Sequence, residues 1–334
     1  MGLPGVLRSF VIESEVFHMS RTDQGLAFLF PGQGSQSVGM LSELGDAYPV
    51  VKDVFGKAST VLGYDLWDLV KKGPEDQLNS TCFTQPAMLA SGVAAWRVWC
   101  ESTEVRPAWM AGHSLGEYTA LVCAGALRFE DGIRLVAERA RLMQEAVPAD
   151  VGAMAAILGL GDEQVVAVCE EAGRDDQVVK AANFNAPGQV VIAGDREAVS
   201  LAAELAKAAG AKRAVILPVS VPSHCPLMRP AAMQFKQLLD TVEFAVSTVP
   251  VIHNVDVLVH QGDAGIREAL ERQLYGSVRW AESVRYMAQQ GVERFVECGP
   301  GRVLAGLNKR IVPESRTESV FDPSSLENAK GLVT

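Results

Sequence analysis

The sequence predicts an α/β fold in which a mostly parallel sheet is interrupted by a smaller sheet. Short apolar runs that end in Gly/Pro turns, such as 26–30 and 294–297, alternate with helical segments in the two outer parts of the chain. Within 151–219 the order changes to strand, helix, two strands joined by a tight turn, helix and strand. That order, β-α-β-β-α-β, is the ferredoxin-like pattern, and it indicates an inserted unit.

These patterns divide the 334 residues into four parts. A discontinuous α/β core comprises 23–149 and 220–312, and the ferredoxin-like small domain comprises 150–219. We expect 1–22 to be a poorly ordered extension. Residues 313–334 form a polar tail without periodicity, and we expect much of it to be mobile.

The composition argues against several classes of protein. Lys and Arg number 30 and Asp and Glu number 40, so the net charge is −10, and binding to nucleic acid is not expected. A hydrophobic content of 48% excludes disorder along the whole chain. No run approaches the roughly 18 apolar residues of a membrane span, and the start lacks the features of a signal peptide. Met19 is a candidate natural start.

Cysteine and histidine show no metal-binding pattern. The six cysteines contain no Cys-x-x-Cys pair, and the five histidines contain no His-x-x-x-His pair. We therefore expect buried thiols, no disulfide, no metal and a reducing, cytoplasmic location.

The segment 112–116, Gly-His-Ser-Leu-Gly, fits the Gly-x-Ser-x-Gly pattern of a nucleophile elbow. It lies between a predicted strand and a predicted helix, where a sharp turn presents the Ser114 hydroxyl at the carboxyl edge of the sheet. The start of the helix supplies backbone amides for an oxyanion, beginning with Leu115. Ser114 is therefore the candidate nucleophile.

The loop 31–37 is also rich in glycine, but it fits neither phosphate-binding pattern. Ser37 stands where a dinucleotide fingerprint needs its third glycine, and Met40 stands where a P-loop needs lysine. Two interpretations remain, a structural turn or a turn whose amides contribute a second oxyanion donor.

A serine nucleophile needs a base, and His224, His253 and His260 are the candidates. His224 is favoured because prolines bracket its loop just beyond a predicted strand. His253 falls inside a predicted strand, where a buried structural histidine is the commoner role. Asp195 is the tempting acid between the serine and the histidine, but it lies at a strand end of the insertion. A carbonyl or an amide is the alternative partner of the histidine.

Arg139 lies on the predicted helix that follows the elbow. A solvated arginine is the commoner role for such a residue. A protein of net charge −10 that handles an anionic substrate would nevertheless need an embedded guanidinium, which can bind a carboxylate through two hydrogen bonds.

Taken together, the motifs show a family resemblance. The chain resembles the malonyl-CoA:acyl carrier protein transacylases of dissociated fatty-acid synthases, in order from about Gln24 to Val312. The motifs that carry the resemblance are Phe-Pro-Gly-Gln-Gly-Ser-Gln (30–36), Gly-Pro-Glu (73–75), Thr-Gln-Pro-Ala (84–87), Gly-His-Ser-Leu-Gly-Glu-Tyr (112–118), the run 182–194, Pro-Ser-His (222–224), Arg-Gln-Leu-Tyr (272–275) and Glu-Cys-Gly-Pro-Gly (297–301).

The resemblance implies an α/β-hydrolase-like core with an inserted ferredoxin-like domain, in agreement with the strand order. It implies that Ser114 is the acylated nucleophile, that His224 is its base and that Arg139 binds the malonyl carboxylate.

The resemblance also implies roles for four further residues. Backbone amides of Gln33 and Leu115 would form the oxyanion hole, Gln273 would orient the histidine, and Gln85 would line the pocket.

The implied activity is transfer of malonyl from malonyl-CoA to the phosphopantetheine thiol of acyl carrier protein, by a ping-pong reaction without a cofactor. The carrier, typically acidic in this family, would dock on a basic patch, either Arg302, Lys309 and Arg310 or Lys212 and Arg213. We expect a monomer. The alternatives are an acyltransferase that serves a polyketide synthase and a serine thioesterase or esterase.

Overall fold

The computed structural model describes residues 21–148, 150–174, 176–219 and 221–333. The first 20 residues, with His18 and the candidate start Met19, lie outside the described residues, so the expectation for most of the extension 1–22 is not addressed. Its last two residues already belong to the first strand, which begins at Arg21.

The larger sheet has five parallel strands in the order β7-β2-β1-β8-β9. The strands are β1 (Arg21–Phe30), β2 (Val105–Gly112), β7 (Val251–Ile252), β8 (Arg294–Cys298) and β9 (Arg316–Val320). The central strand β1 is apolar on both sides because both faces of the sheet are covered. Leu26, Phe28 and Phe30 pack into one hydrophobic cluster, and Ala27 and Leu29 pack into another.

The helices of this core lie between its strands and after the last of them. They are α1 (Ser42–Ala47), α2 (Pro49–Leu62), α3 (Leu66–Lys72), α4 (Glu75–Asn79), α5 (Thr81–Ser102), α6 (Gly116–Cys123), α7 (Phe129–Glu145), α10 (Arg229–Leu239), α11 (Asp263–Tyr275), α12 (Trp280–Gln289), α13 (Val303–Ile311) and α14 (Pro323–Lys330). Because parallel strands end at the same edge of a sheet, the loops after β1, β2 and β7 meet there, and they carry the candidate site.

The smaller sheet is antiparallel, in the order β4-β5-β3-β6, and two helices pack on it. Its elements are β3 (Gly152–Leu158), α8 (Asp162–Ala172), β4 (Val179–Ala186), β5 (Gln189–Asp195), α9 (Arg196–Ala208) and β6 (Arg213–Ile216). The chain order is β-α-β-β-α-β, as the sequence predicts. The predicted fold class, a parallel α/β core with an inserted ferredoxin-like unit, is confirmed.

The smaller sheet is tied to the core at the segment before α12. The Val278 amide donates to Ala182 O (2.8 Å), and the Phe184 amide donates to Val278 O (2.9 Å). Arg310 of α13 donates to Gln189 Oε1 (2.5 Å) and to Pro187 O (2.6 Å) in the β4–β5 turn. These bonds hold the inserted unit over the carboxyl edge of the larger sheet.

The expectation of an aperiodic, mobile tail over 313–334 is wrong for the described part. Strand β9 pairs in parallel with β8, and Asp322 caps α14 by accepting a hydrogen bond from the Ser325 amide (2.7 Å). Val320 and Leu326 are fully buried. The tail is ordered because its few apolar side chains are buried in the main hydrophobic cluster, although they are too few to give a clear periodicity.

Candidate active site

Ser114 lies in a sharp turn between β2 and α6. Its φ of 52° is in the left-handed region, as expected of a strained elbow residue. A Cβ on Gly112 would lie 1.8 Å from Gly116 O, and a Cβ on Gly116 would lie 2.0 Å from Phe30 O. Both positions therefore need glycine, because the turn is packed against its own helix and against the end of β1.

His224 lies in hydrogen-bond contact with the candidate nucleophile. Its Nε2 is 2.7 Å from Ser114 Oγ, and its Nδ1 is 2.7 Å from the backbone oxygen of Gln273. A carbonyl can only accept, so the Nδ1–H donates to it and leaves Nε2 unprotonated towards the serine. Burial, and after it the charge of Arg139, lowers the pKa of His224 to about 3, so the imidazole is neutral at physiological pH.

The other candidates from the sequence lie elsewhere. Asp195 accepts a hydrogen bond from the Val178 amide (2.6 Å) at the end of β5, and a carbonyl fills the orienting role that it would have in a triad. His253 is fully buried, with Nδ1 2.7 Å from Glu117 Oε1. His260 contacts Asp256 at 3.0 Å. Of the three histidines considered as the base, the structure brings His224 to Ser114.

Arg139 is 2% exposed, so the interpretation of a solvated helix arginine is wrong. Its Nη1 donates to Gln85 Oε1 (2.9 Å), and its Nη2 donates to Gln273 Oε1 (3.1 Å) and to Ser114 Oγ (3.2 Å). Helix α7 faces the cavity at this position, whereas Arg141, two residues on, pairs with exposed carboxylates. The guanidinium is therefore a buried cation directly beside the candidate nucleophile.

The loop after β1 and the start of α6 approach the serine from two sides. Gln33 and Leu115 both line the cavity beside Ser114. The hydrogen bonds among the described residues include none donated by the backbone amide of Gln33 or of Leu115. The Gln33 side chain donates to Thr81 Oγ1 (3.2 Å), which fixes the loop.

These residues surround a cavity of about 640 Å³ between the core and the inserted unit. Core loops contribute its floor, and the small sheet contributes Met154, Asn183, Asn185 and Val191. Among the described lining residues, Arg139 is the one Arg, Lys, Asp or Glu. Such a cavity is mostly apolar with a few convergent polar groups and one cation, which suits a small monoanionic group.

The site residues expected from the sequence come together, except that Gln273 takes a different position. Gln33, Gln85, Ser114, Leu115, Arg139 and His224 line the cavity, whereas Gln273 is fully buried behind it. The backbone oxygen of Gln273 contacts the histidine, and its side chain contacts Arg139.

Sequence reasoning missed two residues of this site. Asn254 Oδ1 accepts a hydrogen bond from the Ser114 amide (2.7 Å), and Asn254 Nδ2 donates to Gly112 O (2.7 Å). Glu117 is fully buried, and its carboxylate accepts hydrogen bonds from the Asn254 amide (2.8 Å) and from Gln273 Nε2 (2.9 Å). Glu117 directly follows the elbow motif 112–116, but an acidic residue in the first turn of a helix is common and gave no specific signal.

The described residues contain neither a cluster suited to a metal ion nor a helix suited to a membrane. No group of three or more His, Cys, Asp or Glu side chains in these parts of the chain is arranged to hold a metal ion. None of the helices in the described ranges is long and apolar enough to cross a membrane.

Comparison with known proteins places this chain in a family. Residues 27–319 match the acyl transferase domain family. The malonyl CoA-acyl carrier protein transacylase of Salmonella typhimurium is 55% identical over 303 residues, 91% of this chain and 98% of that protein. The crystal structure of an acyl carrier protein S-malonyltransferase from Vibrio cholerae superposes with a TM-score of 0.90 at 55% identity, and covers 91% of this chain and 99% of the other.

A second similar structure was solved as a complex with a carrier protein. It is a malonyl-transacylase in complex with its type II PKS acyl-carrier protein, with a TM-score of 0.90 at 55% identity, over 91% of this chain and 98% of that one. Identity at this level over nearly the whole of each protein is far above what fold similarity alone gives. The chain therefore belongs to the malonyl CoA-acyl carrier protein transacylases, a family of acyltransferases, as its sequence motifs predict.

Proposed function

We propose that the protein transfers the malonyl group from malonyl-CoA to the phosphopantetheine thiol of acyl carrier protein, through a malonyl ester of Ser114. The observation that carries the proposal is the placement of Arg139 Nη2 3.2 Å from a serine hydroxyl that is itself 2.7 Å from a neutral imidazole. A nucleophile, its base and a carboxylate-binding cation thus share one cavity. The names of the relatives point to the same reaction.

In the first half-reaction, Ser114 Oγ attacks the thioester carbonyl while His224 Nε2 accepts its proton. The amides of Gln33 and Leu115 would donate to the oxyanion of the tetrahedral intermediate, since neither has another acceptor among the described residues. The intermediate then expels the CoA sulfur, which takes the proton from His224. The malonyl ester of Ser114 and neutral His224 remain.

In the second half-reaction, the carrier thiol takes the place of CoA. His224 accepts the thiol proton as the sulfur attacks the serine ester, and it returns that proton to Ser114 Oγ when the ester bond breaks. Thioester is exchanged for ester and then for thioester, so neither an electron nor a phosphoryl group moves. We therefore propose that the reaction needs no metal or other cofactor.

Arg139 would bind the free carboxylate of the malonyl group. A guanidinium binds a carboxylate through two parallel hydrogen bonds, and Gln85 and Gln273 hold it from behind. A buried cation among neutral partners gains more from such a ligand than an exposed one would. We expect Arg139→Ala to reduce malonyl transfer by about a hundredfold while transfer of acetyl is maintained or improved. Equal losses for both acyl groups, measured as kcat/KM, would contradict this role.

The carrier is proposed to be that of fatty-acid synthesis. A relative of equal similarity is solved with a type II PKS acyl-carrier protein, which makes a polyketide carrier the second candidate. Comparing kcat/KM for carriers of both classes decides between them, because the malonyl half-reaction is common to both.

All six cysteines are free, in keeping with the reducing cytoplasm that we propose as the location.

Intact-mass analysis after incubation with malonyl-CoA tests the covalent intermediate. We expect one malonyl adduct on the native protein, none on Ser114→Ala, and loss of the adduct when carrier is added. Rapid release of free malonate without carrier would instead identify a thioesterase. A stable adduct on Ser114→Ala would rule out Ser114 as the nucleophile.

A further inference from the structure

Glu117 has the most completely buried carboxylate beside the site, and the proposed chemistry leaves it without a role. It lies in the first turn of α6, three residues after the nucleophile, with 0% exposure, and it does not line the cavity. Its Oε1 is 2.7 Å from His253 Nδ1, and its Oε2 accepts from the Asn254 amide and from Gln273 Nε2. A buried carboxylate with three nitrogen partners is held in one place and can hold others.

Two of the three hydrogen bonds of Glu117 connect it to the site: the one from Asn254 leads to the turn of the nucleophile, and the one from Gln273 leads to Arg139. Through Asn254 it reaches the Ser114 amide (2.7 Å). Through Gln273 it reaches the guanidinium, since Nε2 of that amide donates to Glu117 (2.9 Å) and its Oε1 accepts from Arg139 Nη2 (3.1 Å). Gln273 therefore lies between a buried anion and a buried cation.

This placement decides which way the Gln273 amide points. If the amide turned by 180°, its NH₂ would face the Arg139 guanidinium and its oxygen would face the Glu117 carboxylate, donor against donor and acceptor against acceptor. Burial lowers the pKa of Arg139, while Tyr118 and the negative charge of Glu117 raise it. The direct acceptors of Arg139 among the described residues are neutral amides and a hydroxyl, so Glu117 supplies negative charge that they do not.

We propose that Glu117 is a positioning residue for acyl-group selectivity, which acts through the Gln273 side chain to hold the Arg139 guanidinium where the carboxylate of the acyl group binds. This inference rests on the proposed function, because it presumes that Arg139 receives that carboxylate. Without Glu117, the Gln273 amide loses its carboxylate acceptor (2.9 Å) and keeps only the backbone oxygen of Ser114 (3.0 Å) as a close acceptor among the described residues. Gln273 is then held less firmly, and with it the position of Arg139 beside the serine.

The ratio of kcat/KM for malonyl-CoA to kcat/KM for acetyl-CoA tests the proposal. This ratio does not depend on the fraction of folded enzyme, and damage to the serine or the histidine lowers both of its parts alike. We expect Glu117→Ala to lower the ratio by about tenfold. Glu117→Gln, which keeps an acceptor for Gln273 but not the charge, should lower it by about threefold.

A double-mutant cycle shows whether the effect passes through Arg139. In the Arg139→Ala background, adding Glu117→Ala should leave the ratio unchanged, because the group that it positions is gone. The matched control is Glu297→Ala. Glu297 is also fully buried and accepts hydrogen bonds from the Leu304 (3.1 Å) and Ala305 (2.9 Å) amides, but it does not line the cavity, and its loss should leave the ratio at the wild-type value.

The outcomes separate this inference from the proposed function. If Glu117→Ala keeps the wild-type ratio while Arg139→Ala lowers it, the positioning role is wrong and the proposed function stands. If the wild-type protein shows no preference for malonyl, the proposed function itself is wrong. Should Glu117→Ala not yield folded protein, Glu117→Gln decides, because an unchanged ratio there overturns the positioning role and a lowered one supports it.

Discussion

At the scale of single residues, His224 combines two properties that a base for serine acylation needs. The Gln273 carbonyl fixes the tautomer, and burial together with the charge of Arg139 keeps the ring neutral. A ring whose pKa is lowered to about 3 is unprotonated at physiological pH and so available to accept the serine proton, but it is a weak base and holds that proton loosely. It therefore returns the proton readily to a leaving sulfur or to the serine, as both half-reactions require.

The acylation rate should consequently be nearly independent of pH between 5 and 8, because His224 titrates below this range. Single-turnover acylation of Ser114 by malonyl-CoA, followed by rapid quench and intact mass, measures it. In Arg139→Ala one cause of the low pKa of His224 is removed, so the acidic limb of the pH–rate profile should move to higher pH. For this variant the acylation rate is measured with acetyl-CoA as the donor. A wild-type limb near the ordinary histidine pKa of about 6.5 would contradict this account.

The same lowered pKa makes the fold sensitive to acid. Below about pH 6.5 the unfolded chain protonates this histidine while the folded protein does not, so the free energy of unfolding falls as pH falls towards the folded pKa of about 3. We expect the wild type to lose about 1 kcal/mol per pH unit more than His224→Gln between pH 6 and 4.5. Urea unfolding at several pH values measures the difference, and parallel slopes for the two proteins would refute it.

At the scale of elements, the C-terminal β9 and α14 contribute to the core. Leu326 is fully buried in the main hydrophobic cluster, so Leu326→Ala should lower the free energy of unfolding by about 2–4 kcal/mol. Asn328→Ala, at an exposed position of the same helix, is the matched control and should change it by less than about 0.5 kcal/mol. Thermal melts of both variants test this, and similar melting temperatures would mean that α14 packs only loosely.

The elements that the sequence predicts well are those with a local signal. The apolar run 26–30 and the glycines around Ser114 placed the central strand and the elbow. Helix α5 shows the limit of such signals, because a proline is typical of the first turn of a helix, whereas α5 begins at Thr81 and contains Pro86 in its interior. The packing of α5 against the core outweighs the local cost of proline.

Contacts between distant residues left no local signal at all. Glu117 meets Asn254 and Gln273 across 137 and 156 positions of the chain, and nothing in the spacing of the three predicts that they meet. The burial of Arg139 is of the same kind. Helix periodicity cannot indicate that the cavity lies on that side, since the cavity exists only once the inserted unit is in place.

At the scale of the whole molecule, the net charge of −10 opposes both proposed substrates, because CoA carries phosphates and the expected carrier is acidic. We expect a local basic patch to offset this field. Of the candidates at α13, Arg310 is already bonded to the β4–β5 turn, and Arg302, just before the helix, lies 5.2 Å from the centre of the Phe321 ring. Lys212 and Arg213 are exposed where β6 begins.

The position of β6 favours Lys212 and Arg213 as the carrier-docking patch. The chain runs from them along β6 into Leu217, Pro218 and Val219, which line the cavity. We expect Lys212→Glu with Arg213→Glu to raise the KM for carrier at least about fivefold at low salt, and the effect should shrink as salt screens the charges. The rate of acylation by malonyl-CoA without carrier should stay unchanged.

Two further reversals make the test specific. Lys207→Glu on helix α9 introduces the same kind of charge change on the same unit, and it should leave the KM for carrier nearly unchanged. Lys309→Glu tests the alternative patch on α13. If the α13 variant raises the KM and the β6 variant does not, the carrier docks beside α13. If neither variant changes the KM for carrier or its salt dependence, contacts other than these basic residues overcome the acidic field of the molecule.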